Sequence, residues 1–140
     1  MSGNGLKIAE NVFRSFVSSK DFNRVLEKVK ILNAGEGRLQ AELVLGPEHL
    51  NPKGTLHGGM TATLVDVLPS VGFRTHQRGV IGATLDLRIS YLKAAEEGET
   101  IVIDCNTLKV GKTLVFLDAE IKKKQTGELI AKGSHTKYID

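Results

Sequence analysis

At 140 residues, 41% hydrophobic and 25% charged, the chain has the makings of one globular domain and is too short for two comfortable ones. A net charge of +3 suits an anionic ligand, but an aromatic content of 5% without a basic stripe argues against nucleic acid. No apolar run is long enough to span a membrane, the lone Cys105 excludes an internal disulfide and favours a reducing compartment, and the four histidines show no metal-ligand spacing.

The first seven residues read without the apolar core of a secretory signal. Leu6, Ala9, Val12, Phe13, Phe16 and Val17 then recur at helical spacing between charged residues, which predicts an amphipathic N-terminal helix. Asp21 is placed to cap a short helical turn, and strand character follows around residues 29–32. Gly35-Glu36-Gly37 marks a turn into a strand on which Leu39, Ala41, Leu43 and Leu45 alternate with polar residues. Pro47 and Pro52 bracket a loop, and a central helix is expected from Gly58 to about His76. Pro69, inside that pattern, removes a backbone hydrogen bond and predicts a kink near residues 65–68 that frees the Val65 carbonyl.

Four strands complete the pattern. Leu85, Leu87, Ile89 and Tyr91 are expected on one face and Thr84, Asp86, Arg88 and Ser90 on the other. Ile101, Ile103 and Cys105 alternate on the next strand, and Gly111-Lys112 and Thr126-Gly127 read as tight turns between the last three. Two strands, a long helix and four strands predict an antiparallel sheet with helices gathered on one face.

Residues 51–66 carry the most chemical information. A polar loop ending in His57-Gly58-Gly59 opens directly into the apolar central helix. Glycines at a helix start leave backbone N–H groups bare, and together with the helix dipole these favour an oxygen that gains negative charge. Asp66, between Val65 and Val67, is an acid on a greasy helix and a candidate general base. Bare donors and an acid in one stretch suggest carbonyl chemistry. Gly58 and Asp66 are eight residues apart, about 12 Å on a helix, so one carbonyl cannot touch both in the same chain. If both act on one atom, Gly58 of one subunit must work with Asp66 of another across a two-fold axis. His57 either shapes the loop and caps the helix or acts in catalysis directly. Gly111-Lys112-Thr113 is not a phosphate-binding loop, because the glycine required five residues earlier is Asn106. With Lys109 beside it, the turn still offers charge to a phosphate, as does Lys93 beside Tyr91 at a strand end; Tyr91 and, near the close of the chain, Tyr138 are further candidate ligand contacts.

Asn51, the Gly54-Thr55-Leu56-His57-Gly58-Gly59 run, Thr61-Ala62-Thr63-Leu64-Val65-Asp66, Gly111-Lys112-Thr113-Leu114 and the closing Gly133-Ser134-His135-Thr136-Lys137 resemble the hotdog-fold acyl-CoA thioesterases over almost the whole chain. The resemblance implies an α+β fold, one hotdog domain over residues 1–140, with an antiparallel sheet wrapped around a long central helix. It implies a homotetramer, a dimer of dimers, that hydrolyses medium- to long-chain fatty acyl-CoA without a metal or redox cofactor. By the same likeness Asn51 and the Gly58 amide hold the thioester oxygen, and Asp66 activates water. Thr84 stands where relatives carry a serine that helps place that water. Tyr91, Lys93, Lys109, Gly111, Lys112, Thr113 and Tyr138 are then candidates to meet CoA. A cytosolic or mitochondrial location and a lipid-transfer protein partner are further implications of the resemblance. Direct attack by the Asp66 carboxylate is a chemical alternative to base catalysis. The rival functions are a non-catalytic acyl-CoA-binding or scaffold protein, a hydroxyacyl-thioester dehydratase, and a purely structural protein.

Overall fold

The computed structural model describes residues 3–140. The amphipathic stripe near the N-terminus forms helix α1 (Gly3–Val17), which buries Ala9 and Phe13 and packs on strand β1 (Lys30–Gly35). Between them Asp21 accepts the Asn23 amide at 3.0 Å and starts a 3₁₀ turn over Phe22–Leu26, as its side-chain chemistry predicts. Strand β2 (Arg38–Val44) follows β1 through Glu36-Gly37, whose φ values of 54° and 81° are those of the tight hairpin turn that matches strand twist.

Helix α2 (Gly58–Phe73) is the centre of the molecule, with Leu64, Val65, Leu68 and Val71 fully buried. It ends three residues earlier than the sequence pattern suggests, because the amides of Thr75 and His76 bond to the carbonyls of Gly72 and Phe73 in a turn. The helix runs through Pro69 as one element. Strands β3 (Ala83–Tyr91), β4 (Thr100–Val110), β5 (Leu114–Lys123) and β6 (Leu129–Tyr138) complete a six-stranded, wholly antiparallel sheet in the order β1-β2-β4-β5-β6-β3. The sheet's inner face packs Leu39, Ala41, Leu43, Ile101, Ile103, Cys105, Leu117, Ala119 and Ile121 against α2. Burial of each large apolar side chain stabilises by about 1.5–3 kcal/mol, so this face is the main source of cohesion. Among the described residues no helix is long and apolar enough to cross a membrane.

One strand face differs from the alternation read in the sequence. Thr84 pairs with Lys137 and Asp86 with Thr136, which leaves Leu85 as an extra residue in a bulge. The bulge breaks the period of two, so Thr84 turns inward with Leu87 instead of opposing it. Leu85 is left 60% exposed. Close contact between β6 and α2 depends on Gly133, where a Cβ would fall 2.5 Å from Val65 Cγ1.

His49 is a buried structural histidine whose Nδ1 accepts the Gly46 amide at 3.0 Å. Burial pushes its pKa below the ordinary 6.5, because the charged ring would lose its water. The unfolded chain therefore binds this proton more readily. Its contribution to stability is whole above about pH 6.5 and is lost as pH falls towards the depressed native value. His135 acts in the same direction. Thermal unfolding at pH 5.5 should thus occur at a lower temperature than at pH 7.5. His49→Asn, which keeps an acceptor for Gly46, should shrink that difference; an unchanged difference would remove His49 as a cause.

Candidate active site

The loop before α2 is built by Asn51. Its Oδ1 accepts the amides of Lys53 at 2.9 Å and Thr55 at 3.1 Å, while its Nδ2 donates to Thr55 Oγ1 at 2.8 Å. These bonds close residues 51–55 on themselves and leave Nδ2 a second N–H to offer. His57 takes the capping role: its Nδ1 accepts the Gly59 amide at 2.7 Å and its carbonyl accepts the Thr61 amide at 3.1 Å. The Gly58 N–H, at the first helical position, points out of the ladder, as the first amides of any helix must. Tyr91 lies over this glycine and donates its hydroxyl to the Gly58 carbonyl at 2.8 Å. A Cβ on Gly58 would meet the Tyr91 ring at 3.5 Å, an ordinary van der Waals contact.

Asp66 lies two turns further along α2, with its carboxylate 45% exposed at the rim of the sheet. Thr84, turned inward by the bulge, donates to Asp66 Oδ1 at 2.9 Å and lies 2.8 Å from Nε2 of His135. The His135 ring is buried, and burial is the main cause of its lowered pKa, with the Lys137 charge adding to it and Asp66 opposing it. Lys137 is also buried, which lowers its pKa, and its Nζ donates to Ser70 Oγ at 3.0 Å. Ser70 in turn donates to the Asp66 carbonyl at 3.0 Å. A carboxylate, a hydroxyl, an imidazole and an ammonium thus gather where α2 meets β3 and β6. His135, Lys137 and Ser70 were not assigned by sequence; the available signal was that His135 and Lys137 share the β6 face of Ala131 and Gly133, which is the buried one.

The seven candidates for CoA contact fall into two groups. Lys109, Gly111, Lys112, Thr113 and Tyr138 gather around the β4–β5 turn, where Gly111 N–H bonds the Leu114 carbonyl at 2.7 Å and Leu114 pairs with Tyr138. Tyr91 and Lys93 lie at the other end of β3, where Lys93 pairs with Glu128 at 2.6 Å. Ala83 pairs with Tyr138 and Tyr91 with Ala131, which separates the ends of β3 by roughly 26 Å. The seven therefore form two separate groups on this chain.

A cavity of about 200 Å³ beside Asp66 is lined by Phe16, Val67, Val80, Ile81, Thr84 and Lys137 among others. A second, of about 190 Å³, lies beside His57 and Gly59 against Phe22, Val25, Leu50 and Met60. A larger hollow of about 790 Å³ over residues 97–100 and 123–128 is ringed by charges that pair with one another, such as Lys123 with Glu99 at 3.2 Å, and contains no donor–base pair. Among the described residues no three His, Cys, Asp or Glu side chains stand close enough to hold a metal ion.

The profile of the thioesterase superfamily matches residues 53–130, more than half of the chain. Acyl-coenzyme A thioesterase 13 of Mus musculus is 45% identical over 118 residues, covering 84% of each chain. The human protein of the same name is 41% identical over 128 residues, covering 91% of each. The crystal structure of zebra fish thioesterase superfamily member 2 superposes with a TM-score of 0.94 at 41% identity, covering 97% of this chain and 99% of that one. The fold is the hotdog fold, and the chain belongs to the thioesterase superfamily.

The Asn51 side chain should be worth more to its loop than one surface residue. Asn51→Ala removes all three of its hydrogen bonds and should cost about 1–3 kcal/mol in denaturant unfolding. Hydrogen exchange at the Lys53 and Thr55 amides should quicken selectively; unchanged exchange there would mean that the loop holds its shape without Asn51.

Proposed function

We propose that this member of the thioesterase superfamily is a single-domain enzyme that hydrolyses medium- to long-chain fatty acyl-CoA to fatty acid and CoA, in a site shared by two chains. The observation that carries the proposal is the pairing, on one helix, of an outward Gly58 amide at the positive end with an ionisable Asp66 held by Thr84. The names of the relatives at 41–45% identity support acyl-CoA as the substrate class.

In this mechanism the thioester oxygen lies against the Gly58 N–H and the spare N–H of Asn51. Water, hydrogen-bonded to Asp66, attacks the carbonyl carbon. The new C–O bond pushes an electron pair onto the thioester oxygen, and the water proton passes to Asp66. The amides and the helix dipole stabilise that oxyanion, a contribution of about 10²–10³ in rate for one donor of this kind. Collapse of the intermediate breaks the C–S bond, and the CoA thiolate takes a proton as it leaves. Asp66 as base contributes roughly 10²–10⁴ more.

Both groups lie on α2, eight residues and about 12 Å apart, so the reacting carbonyl meets Gly58 of one subunit and Asp66 of its partner. Strand β3 supports this: it is one of the sheet's two terminal strands and exposes Leu85 and Tyr91, with Leu92 just beyond it. Antiparallel pairing of two β3 strands would hide that edge. It would also bring the β4–β5 turn of one subunit, with Lys109, Lys112, Thr113 and Tyr138, towards Tyr91 and Lys93 of the other. The two groups of CoA candidates then become one. Leu114, Phe116 and Tyr138 leave an apolar patch on the outer sheet face, which suits the second contact of a homotetramer. The lone buried thiol of Cys105 suits a reducing compartment such as cytosol or the mitochondrial matrix. A lipid-transfer protein as partner rests on family likeness alone.

Thiol release from acyl-CoA by the parent should fall at least a hundredfold in Asp66→Ala. Gly58→Val, which crowds the oxyanion, should also be nearly inactive. Co-refolding the two variants should restore about a quarter of parental activity, because half of randomly paired dimers are mixed and each holds one intact site. Absence of recovery in mixed dimers would confine the site to one chain. Tight acyl-CoA binding without release by the parent would make the protein a binding module instead.

A further inference from the structure

Two glycines in succession, Gly58 and Gly59, give α2 a start with unusual freedom to rotate, because neither has a Cβ to limit its dihedrals. The amide proposed to hold the oxyanion belongs to the first of them, and at that position it has no partner inside the helix. A donor free to swing must be oriented anew in each turnover, and that reorganisation is what a preorganised donor avoids. The structure ties down the peptide groups on both sides of the Gly58 Cα. In the group before it, the His57 carbonyl accepts the Thr61 amide at 3.1 Å, which leaves the Gly58 N–H as the outward end. In the group after it, side chains hold both polar ends. The Gly59 N–H donates to His57 Nδ1 at 2.7 Å, and the Gly58 carbonyl accepts the Tyr91 hydroxyl at 2.8 Å.

The first two of these bonds are local, whereas the Tyr91 bond comes from 33 residues along the chain. Tyr91 closes β3, where it pairs with Ala131, and just beyond it the amides of Leu92 and Lys93 bond the Ile130 carbonyl at 2.9 and 3.1 Å. The tyrosine is thus mounted on a paired strand end while its ring crosses to the helix start. A carbonyl oxygen has two lone pairs, and the ladder of a helix calls on one of them for the amide four residues on. The hydroxyl takes the other. We propose that Tyr91 is a positioning residue: its hydroxyl pins the Gly58–Gly59 peptide group to the end of β3 and so fixes the direction of the neighbouring Gly58 N–H. This rests on the thioesterase reading above, in which that amide is an oxyanion donor. The hydroxyl's one proton is engaged on Gly58, so towards CoA Tyr91 offers lone pairs and a ring face, not a donor.

Tyr91→Phe keeps the ring and removes the bond. Tyr91 is 58% exposed, so the variant should fold and melt close to the parent. Nitrogen-15 relaxation should find the Gly58 and Gly59 N–H vectors as ordered as the rest of α2 in the parent, and distinctly less ordered in the variant. Hydrolysis of acyl-CoA should show kcat lowered about five- to tenfold, the effect of losing one hydrogen bond, with KM little changed. A residue that only contacts CoA would instead raise KM and leave both glycine amides ordered. That outcome would overturn the proposal, as would a mobile helix start with parental kcat, or a slowed variant whose amides stay ordered. A parent that releases no thiol would defeat the thioesterase reading instead, while the relaxation measurement would still judge the tether.

Discussion

A rigid helix sets the terms for everything else in this molecule. From Gly58 to Phe73 α2 is packed on the sheet and buried along most of its length, so neither its position nor its rise can adjust to bring its two chemical ends together. The amide end and the acid end are fixed about 12 Å apart. The terminal place of β3 and the split of candidate CoA groups between its two ends answer to the same spacing. The shared site proposed above, with a two-fold axis perpendicular to β3, would answer all of them at once. One symmetry operation that would answer three separate features is a stronger reason to propose a shared site than any one of them.

The polar cluster around Asp66 depends on two departures from regular structure. The Leu85 bulge turns Thr84 inward, and Gly133 lets β6 approach α2. Without the bulge the hydroxyl would face solvent, and with any side chain at 133 Val65 would have to move. The bulge lies near the start of β3, a terminal strand of the sheet, whereas Gly133 lies mid-strand in β6, pairs directly with Ala119 and sits against the buried Val65. The bulge is tolerated because the extra residue, Leu85, is exposed, while the close approach at 133 is secured by glycine itself.

The elements were legible in the sequence because periodicity is local. The α1 stripe, the alternation of Ile101, Ile103 and Cys105, and the turns at Glu36-Gly37 and Gly111-Lys112 each need only a few neighbouring residues to be read. The loop and helix from Asn51 to Asp66 were legible for the same reason, although the capping bond from the Gly59 amide to His57 needed the structure to be seen. Thr84 was placed on the wrong face because a bulge is an insertion relative to a partner strand, and the partner lies fifty residues away in sequence. His135, Lys137 and Ser70 went unassigned because their meaning lies in contacts from β6 to α2, which no local pattern encodes. The end of α2 was drawn too long because Thr75 and His76 continue helical hydrogen bonding as a turn.

Pro69 shows how far local information reaches. The sequence alone implies that the Val65 carbonyl is freed, since proline has no amide, but it gives that carbonyl nothing to do. A proline inside a helix costs about 3 kcal/mol relative to alanine. Pro69 stands inside α2 three residues beyond Asp66, so the turn that lacks its backbone hydrogen bond is the turn that carries the acid.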